Sequence, residues 1–132
     1  MVIAMAEIWD QYHRFGAEDR SGMPEAHQQV FAILDWRQEM ASGGFDAYFR
    51  YWGGNTAQMA LTALPGSLGV DWATLLREAM ALFGAAYPTD PDARAELIDD
   101  LDLDEALEAL DERFAALEAR DDADAMLALV FE

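Results

Sequence analysis

The side chains with the most chemical potential in this chain are its carboxylates, and they are unevenly placed. Residues 90–132 hold sixteen Asp and Glu against three Arg, a net charge of −13, whereas residues 1–89 carry −5. Carboxylates concentrated on a rigid scaffold attract a basic partner or imitate a phosphate backbone, and they repel nucleic acid itself. Asp99, Asp100, Asp102, Asp104, Glu105, Glu108, Asp111, Glu112 and Glu118 form the candidate protein-binding acidic surface. Asp104 and Glu108 would lie about 6 Å apart along a helix axis, a scale similar to phosphate spacing on one DNA strand. Duplex DNA carries about one charge per 1.7 Å of axis, so a single helix cannot match its density. Asp90, Asp92 and Glu96 are nearby supplements.

Other chemistries find less support. Asp100, Asp102 and Asp104 alternate as in a calcium loop, with Asp111 at its twelfth position. Glu105 stands at the sixth position, where such a loop needs glycine, so no dedicated calcium site is expected. His13 and His27 lack a compact ligand motif, and cysteine is absent. A metal site, a disulfide and thiolate chemistry are therefore not expected. The doublets Gly43-Gly44 and Gly53-Gly54 have neither the lysine nor the spacing of a phosphate-binding loop and read as turns. No nucleophile elbow surrounds Ser21, Ser42 or Ser67. A catalytic carboxylate pair needs a cleft that raises one pKa. With 26 acidic residues present, finding a pair carries no information. No catalytic residue and no cofactor is expected.

The elements that must position these groups read as helices throughout. A first helix spans roughly residues 4–15, broken by Gly16 and the Asp19-Arg20-Ser21-Gly22 stretch. Pro24 opens a second, reaching about Met40, with Val30, Phe31, Ile33, Leu34 and Trp36 on its apolar side. Gly43-Gly44 ends it with a sharp turn. Phe45, Tyr48, Phe49, Tyr51 and Trp52 fit a short helix. They are expected in the core, or in the core and a homodimer contact, because no basic groove accompanies them for base stacking. Asn55 or Thr56 would cap a helix to Leu64, and Asp71 one through Phe83 or Ala85. The latter turns Trp72, Leu75, Leu76, Ala79, Met80 and Phe83 inward. Pro88 and Pro91 punctuate the chain again.

The most regular segment runs from Leu103 to Arg120. Leu103, Leu107, Leu110, Phe114 and Leu117 share one side; Asp104, Glu105, Glu108, Asp111, Glu112 and Glu118 share another. Aspartates before it can cap its start and favour its first turn. That does not explain six carboxylates along one face, where like charges four apart destabilise. Asp121 and Asp122 end it, and a short last helix carries Met126, Leu127, Leu129 and Val130. The expected fold is an all-α, compact single-domain bundle of six or seven helices, spanning residues 1–132, with an acidic C-terminal helix.

Composition supports this. The chain has 132 residues and is 53% hydrophobic, enough for one core despite a net charge of −18. All eight basic residues are arginine, read here as compositional bias. No segment is apolar and long enough to span a membrane, and Met1 to Tyr12 does not read as a secretory signal. A cytoplasmic location is the expectation.

The stretch Gly43, Gly44, Phe45, Asp46, Ala47, Tyr48, Phe49, followed by Trp52, Gly53 and Gly54, resembles the central signature of a bacterial family of all-helical proteins. That family was defined as a domain of unknown function and includes a DNA-mimic protein. Ala57, Ala60-Leu61 and Ala63-Leu64 are similar to its next helix, and Leu75 through Phe83, then Pro88, to the one after. The segment from Leu110 to Leu117 resembles its acidic C-terminal helix. The likeness covers about residues 24–131. It implies a helical fold and a non-enzymatic protein that binds the DNA-binding surface of a transcription regulator. Charge and resemblance together point to a basic protein partner, with no direct nucleic acid and no membrane. The alternative is an immunity or antitoxin-like inhibitor of a basic toxin; an enzyme using an unrecognised carboxylate pair is the remote one.

Overall fold

The computed structural model describes residues 5–15 and 20–131. Among these residues the chain folds into seven α-helices: α1 (Met5–Phe15), α2 (Glu25–Arg50), α3 (Ala57–Ala63), α4 (Val70–Ala81), α5 (Pro91–Asp100), α6 (Asp104–Arg120) and α7 (Ala123–Phe131). Two 3-10 turns, Trp52–Thr56 and Leu64–Gly66, flank α3. The breaks expected at Gly16 and Asp19 lie outside the described residues. Ser21-Gly22 form a turn, closed by the Met23 N–H donating to the Arg20 carbonyl at 2.9 Å.

Helix α2 is the axis of the bundle. A helix at a surface buries only one stripe, yet Val30 through Trp36 are buried without interruption. Neighbours therefore cover it on several sides: α3, α5, α6, α7 and the Trp52–Thr56 turn all pack on it. Its helical geometry fails at Gly43 and Gly44, where the sequence places a turn. Gly44 has φ +73, and a side chain there would collide with the Asp111 carboxylate of α6. Only glycine accepts both that conformation and that approach.

After the break, Phe45 and Phe49 stack at 5.6 Å between centroids, and Phe49 meets Phe83 edge-on at 4.8 Å. Trp36 contacts Phe45, Trp72 and Phe114 at 6.1, 6.1 and 5.1 Å. These rings join α2 to α4 and α6. Each fully buried large apolar side chain stabilises the fold by about 1.5–3 kcal/mol.

The expected inward faces are the observed ones. Trp72, Leu75, Leu76, Ala79, Met80 and Phe83 are buried around α4, and Leu103, Leu107, Leu110 and Phe114 along α6, while Leu117 is half-buried. Helix starts differ from expectation. Thr56 stands at the N-cap position of α3 but makes no side-chain cap: its hydroxyl donates to Asp35 at 2.7 Å, and Asn55 Oδ1 accepts from Arg94 at 2.8 Å. Gly69, not Asp71, precedes α4, and α4 ends at Ala81, so Phe83 packs from the following turn. Leu103 holds the N-cap position of α6, without a side-chain cap from the aspartates. Of the aromatic segment, Phe45, Tyr48 and Phe49 are buried, but Tyr51 is 62% and Trp52 40% exposed.

Candidate protein-interaction surface

Helices α5 and α6 carry the candidate carboxylates and meet at a tight corner. The Leu101 N–H donates to the Leu97 carbonyl at 2.9 Å and the Leu103 N–H to the Ile98 carbonyl at 3.1 Å. Asp102 between them adopts φ +52. This is a left-handed helix end, with aspartate where glycine is most common. The corner brings Asp99, Asp100, Asp102, Asp104 and Glu105 together, all exposed.

Helix electrostatics favours only some of these charges. Asp104 and Glu105 lie in the first turn of α6, near its positive end. Asp99 and Asp100 lie in the last turn of α5, near its negative end, where anions destabilise. Arg50 offsets this for Asp99, at 2.8 Å, and holds that carboxyl below its usual range through its hydrogen bond and charge. Asp100 makes no ion pair among the described residues.

The nine expected residues then separate by what they touch. Glu118 accepts both Nε and Nη2 of Arg37, at 3.1 and 3.0 Å, tying α6 to α2. Asp111 accepts the Phe45 N–H at 2.8 Å, the first amide after the glycine break. Asp100, Asp102, Asp104, Glu105, Glu108 and Glu112 are exposed, and no ion pair engages them among the described residues. Glu105, Glu108 and Glu112 fall at positions i, i+3 and i+7, one stripe of α6 about 10 Å long. Asp104, Glu108 and Asp111 border a groove of about 470 Å³ against Asp46 and Arg50 of α2. Asp46 and Arg50 were not among the expected surface residues; they arrive there through the break in α2.

Burial pushes the Asp111 carboxyl up, more than the Phe45 amide pulls it down, and the charges of Glu108 and Asp46 add to the rise. A carboxyl whose folded pKa is raised favours folding below its unfolded pKa, and that contribution is lost as pH rises through the folded value. Asp111→Asn keeps the acceptor and removes the ionisation. It should match or exceed wild-type stability at pH 7, with the advantage shrinking as pH falls through the raised range of the Asp111 carboxyl. Asp111→Ala leaves the Phe45 amide unpaired and should lose about 1–2 kcal/mol. Urea melts of the two variants at pH 7 and pH 4 check both signs.

Three other arginines, two of them on α6, are engaged with carboxylates. Arg113 pairs with Glu78, Arg120 with Asp71 and Asp121, and Arg37 also with Asp124. Trp72 donates its indole N–H to Asp121 at 2.8 Å; Asp121, held mainly by Arg120, has its carboxyl pushed down to about 2. His13 contacts Gln38 at 3.2 Å. Among the described residues no group of three or more His, Asp or Glu could hold a metal ion, and no helix is long and apolar enough to cross a membrane.

Residues 21–131 match the family model described as DMP19-like protein. No curated protein and no solved structure matches the chain.

Proposed function

The chain belongs to the family of DMP19-like proteins, and on that premise we propose that it is a DNA mimic that occupies the basic DNA-binding surface of a transcription regulator. The family and the acidic composition support the broader role, a non-enzymatic protein that acts by binding another protein. One observation carries the sharper reading. Six of the nine expected carboxylates stand exposed on the α5–α6 unit without a counter-charge among the described residues, while Glu118 and Asp99 are consumed in pairing. Charge kept at a cost to helix stability, as at Asp100, is charge with a use outside the fold. Arranged along a rigid helix and its corner, these groups present negative charge at intervals that arginines and lysines aligned for phosphates can meet. The same array repels DNA, so the mimic competes for the regulator rather than for its operator.

The test is capture from the native lysate at near-physiological salt, with parallel washes of duplex DNA and of high salt. A DNA-binding protein released by both washes is the expected result. The variant Asp104→Asn/Glu105→Gln/Glu108→Gln/Glu112→Gln should then weaken that complex about 10- to 100-fold, with a shallower salt dependence. Asp111 and Glu118 are left intact because their contacts hold the fold. Unchanged affinity in a variant with wild-type circular dichroism would remove this face from the binding site. Capture of a partner that does not bind DNA would replace mimicry with inhibition.

A further inference from the structure

On the α1-facing side of α2 lies a second feature, a pocket of about 300 Å³. Asp35 and Glu39 contribute to it from α2, Tyr12 and His13 from α1, and Tyr51 and Trp52 from the segment after the helix. Asp35 and Glu39 are four residues apart and so share a face of α2. The inner carboxylate already shows what this site binds. Arg20 places both terminal nitrogens on Asp35, at 2.8 and 3.0 Å. Its guanidinium carbon lies 5.5, 5.3 and 5.2 Å from the ring centres of Tyr12, Phe31 and Trp52. A carboxylate joined to aromatic faces is the environment that selects a planar guanidinium over an ammonium.

One turn outward the same components recur. Glu39 is half-buried and makes no ion pair among the described residues, beside the exposed rings of Tyr51 and Trp52. Burial and the neighbouring Asp35 push its carboxyl up, as expected of an anion without a counter-charge. Trp52 already lies against Arg20, but packing does not account for the exposed Tyr51 ring beside it, since the core closes with Phe45, Tyr48 and Phe49.

We propose that the Glu39–Tyr51–Trp52 pocket is a binding site for an arginine side chain presented by a second protein, repeating outside the fold what Arg20 does within it. The site stands on its own geometry and would hold even if the α5–α6 face bound nothing. A single side chain binds weakly alone, so its contribution is to fix the register of a larger contact.

Labelled protein is titrated with N-acetyl-arginine amide and, in parallel, with N-acetyl-citrulline amide, its neutral analogue, and followed by nuclear magnetic resonance. The arginine derivative should shift the Trp52 indole N–H and the Glu39 and Gly53 amides, saturating in about the millimolar range. The citrulline derivative should bind at least about fivefold more weakly. Glu39→Gln and Tyr51→Ala, both at surface-accessible positions, should each reduce the response while the remaining spectrum keeps its dispersion. An equal response to both compounds, or an unchanged response in Glu39→Gln, would overturn the proposal. Shifts confined to α5 and α6 would also overturn it, as general attraction to acidic surface, and would leave the DNA-mimic reading standing.

Discussion

Replacing Arg94 with methionine should lower the unfolding free energy by about 3–5 kcal/mol. Arg94 is fully buried and makes no ion pair with a carboxylate among the described residues. Its guanidinium instead collects acceptors: Phe49 carbonyl at 2.7 Å, Pro88 carbonyl at 2.9 Å, Tyr51 carbonyl at 3.0 Å and Asn55 Oδ1 at 2.8 Å. These come from the end of α2, the turn that follows and the segment before α5. Burial pulls its pKa down, yet a guanidinium in such a site stays charged. The network also fixes Gly54, because a Cβ there would sit 2.5 Å from the Tyr48 carbonyl oxygen and 2.9 Å from Arg94 Nη2. Methionine fills much of the volume, so the loss reports chiefly the abandoned acceptors. Arg94→Lys keeps the charge but cannot serve acceptors spread over three segments, and should recover less than half. For a chain of this size the methionine variant should melt about 10–20 °C below wild type. A melting point within about 3 °C of wild type would mean that water replaces the guanidinium at little cost.

The second large effect is expected at Asp35. This carboxylate, 1% exposed, accepts Tyr12 Oη at 2.5 Å, Thr56 Oγ1 at 2.7 Å and two nitrogens of Arg20. It joins α1, the turn before α2 and the Trp52–Thr56 turn to the central helix. Burial, and then the Asp35 charge, push the Tyr12 hydroxyl well up, so it remains a proton donor at any pH the fold survives. Asp35→Ala removes in one step the carboxylate that Tyr12, Thr56 and Arg20 share and should cost about 3–5 kcal/mol. Removing both charges with Asp35→Leu/Arg20→Met should cost less than the sum of the single changes, because each single change already removes the contact between the two. A double-mutant cycle from urea denaturation measures that coupling. Strict additivity would show that Arg20 and Asp35 do not stabilise each other.

Both residues lie outside the acidic surface that dominates the sequence, and neither stood out there. Asp35 interrupts an apolar run and reads as one acid among 26. Arg94 sits in an acidic helix; its one local signal is its place four residues before Ile98, on the same inner face. Elements were far more legible than contacts. The glycine break within α2, the six inward residues from Trp72 to Phe83, and the apolar side of α6 follow from residue type and spacing alone. Each depends only on the geometry of one segment and on which side chains avoid water. The helix starts were less legible, because Asn55, Thr56 and Asp71 are good local caps that found stronger partners elsewhere: Arg94, Asp35 and Arg120.

What the sequence by itself determined is therefore the all-helical architecture, the glycine break before the aromatic segment and the concentration of negative charge toward the C-terminal half. What only the tertiary structure decided is which carboxylates are spent. Arg37 reaches Glu118 and Asp124 across 81 and 87 residues, and Asp111 reaches the Phe45 amide across 66. Periodicity is a property of one helix and extends a few residues. Neutralisation of a charge depends on which other helix lies against it, and that is set only when the aromatic core closes and places α6 beside the broken end of α2.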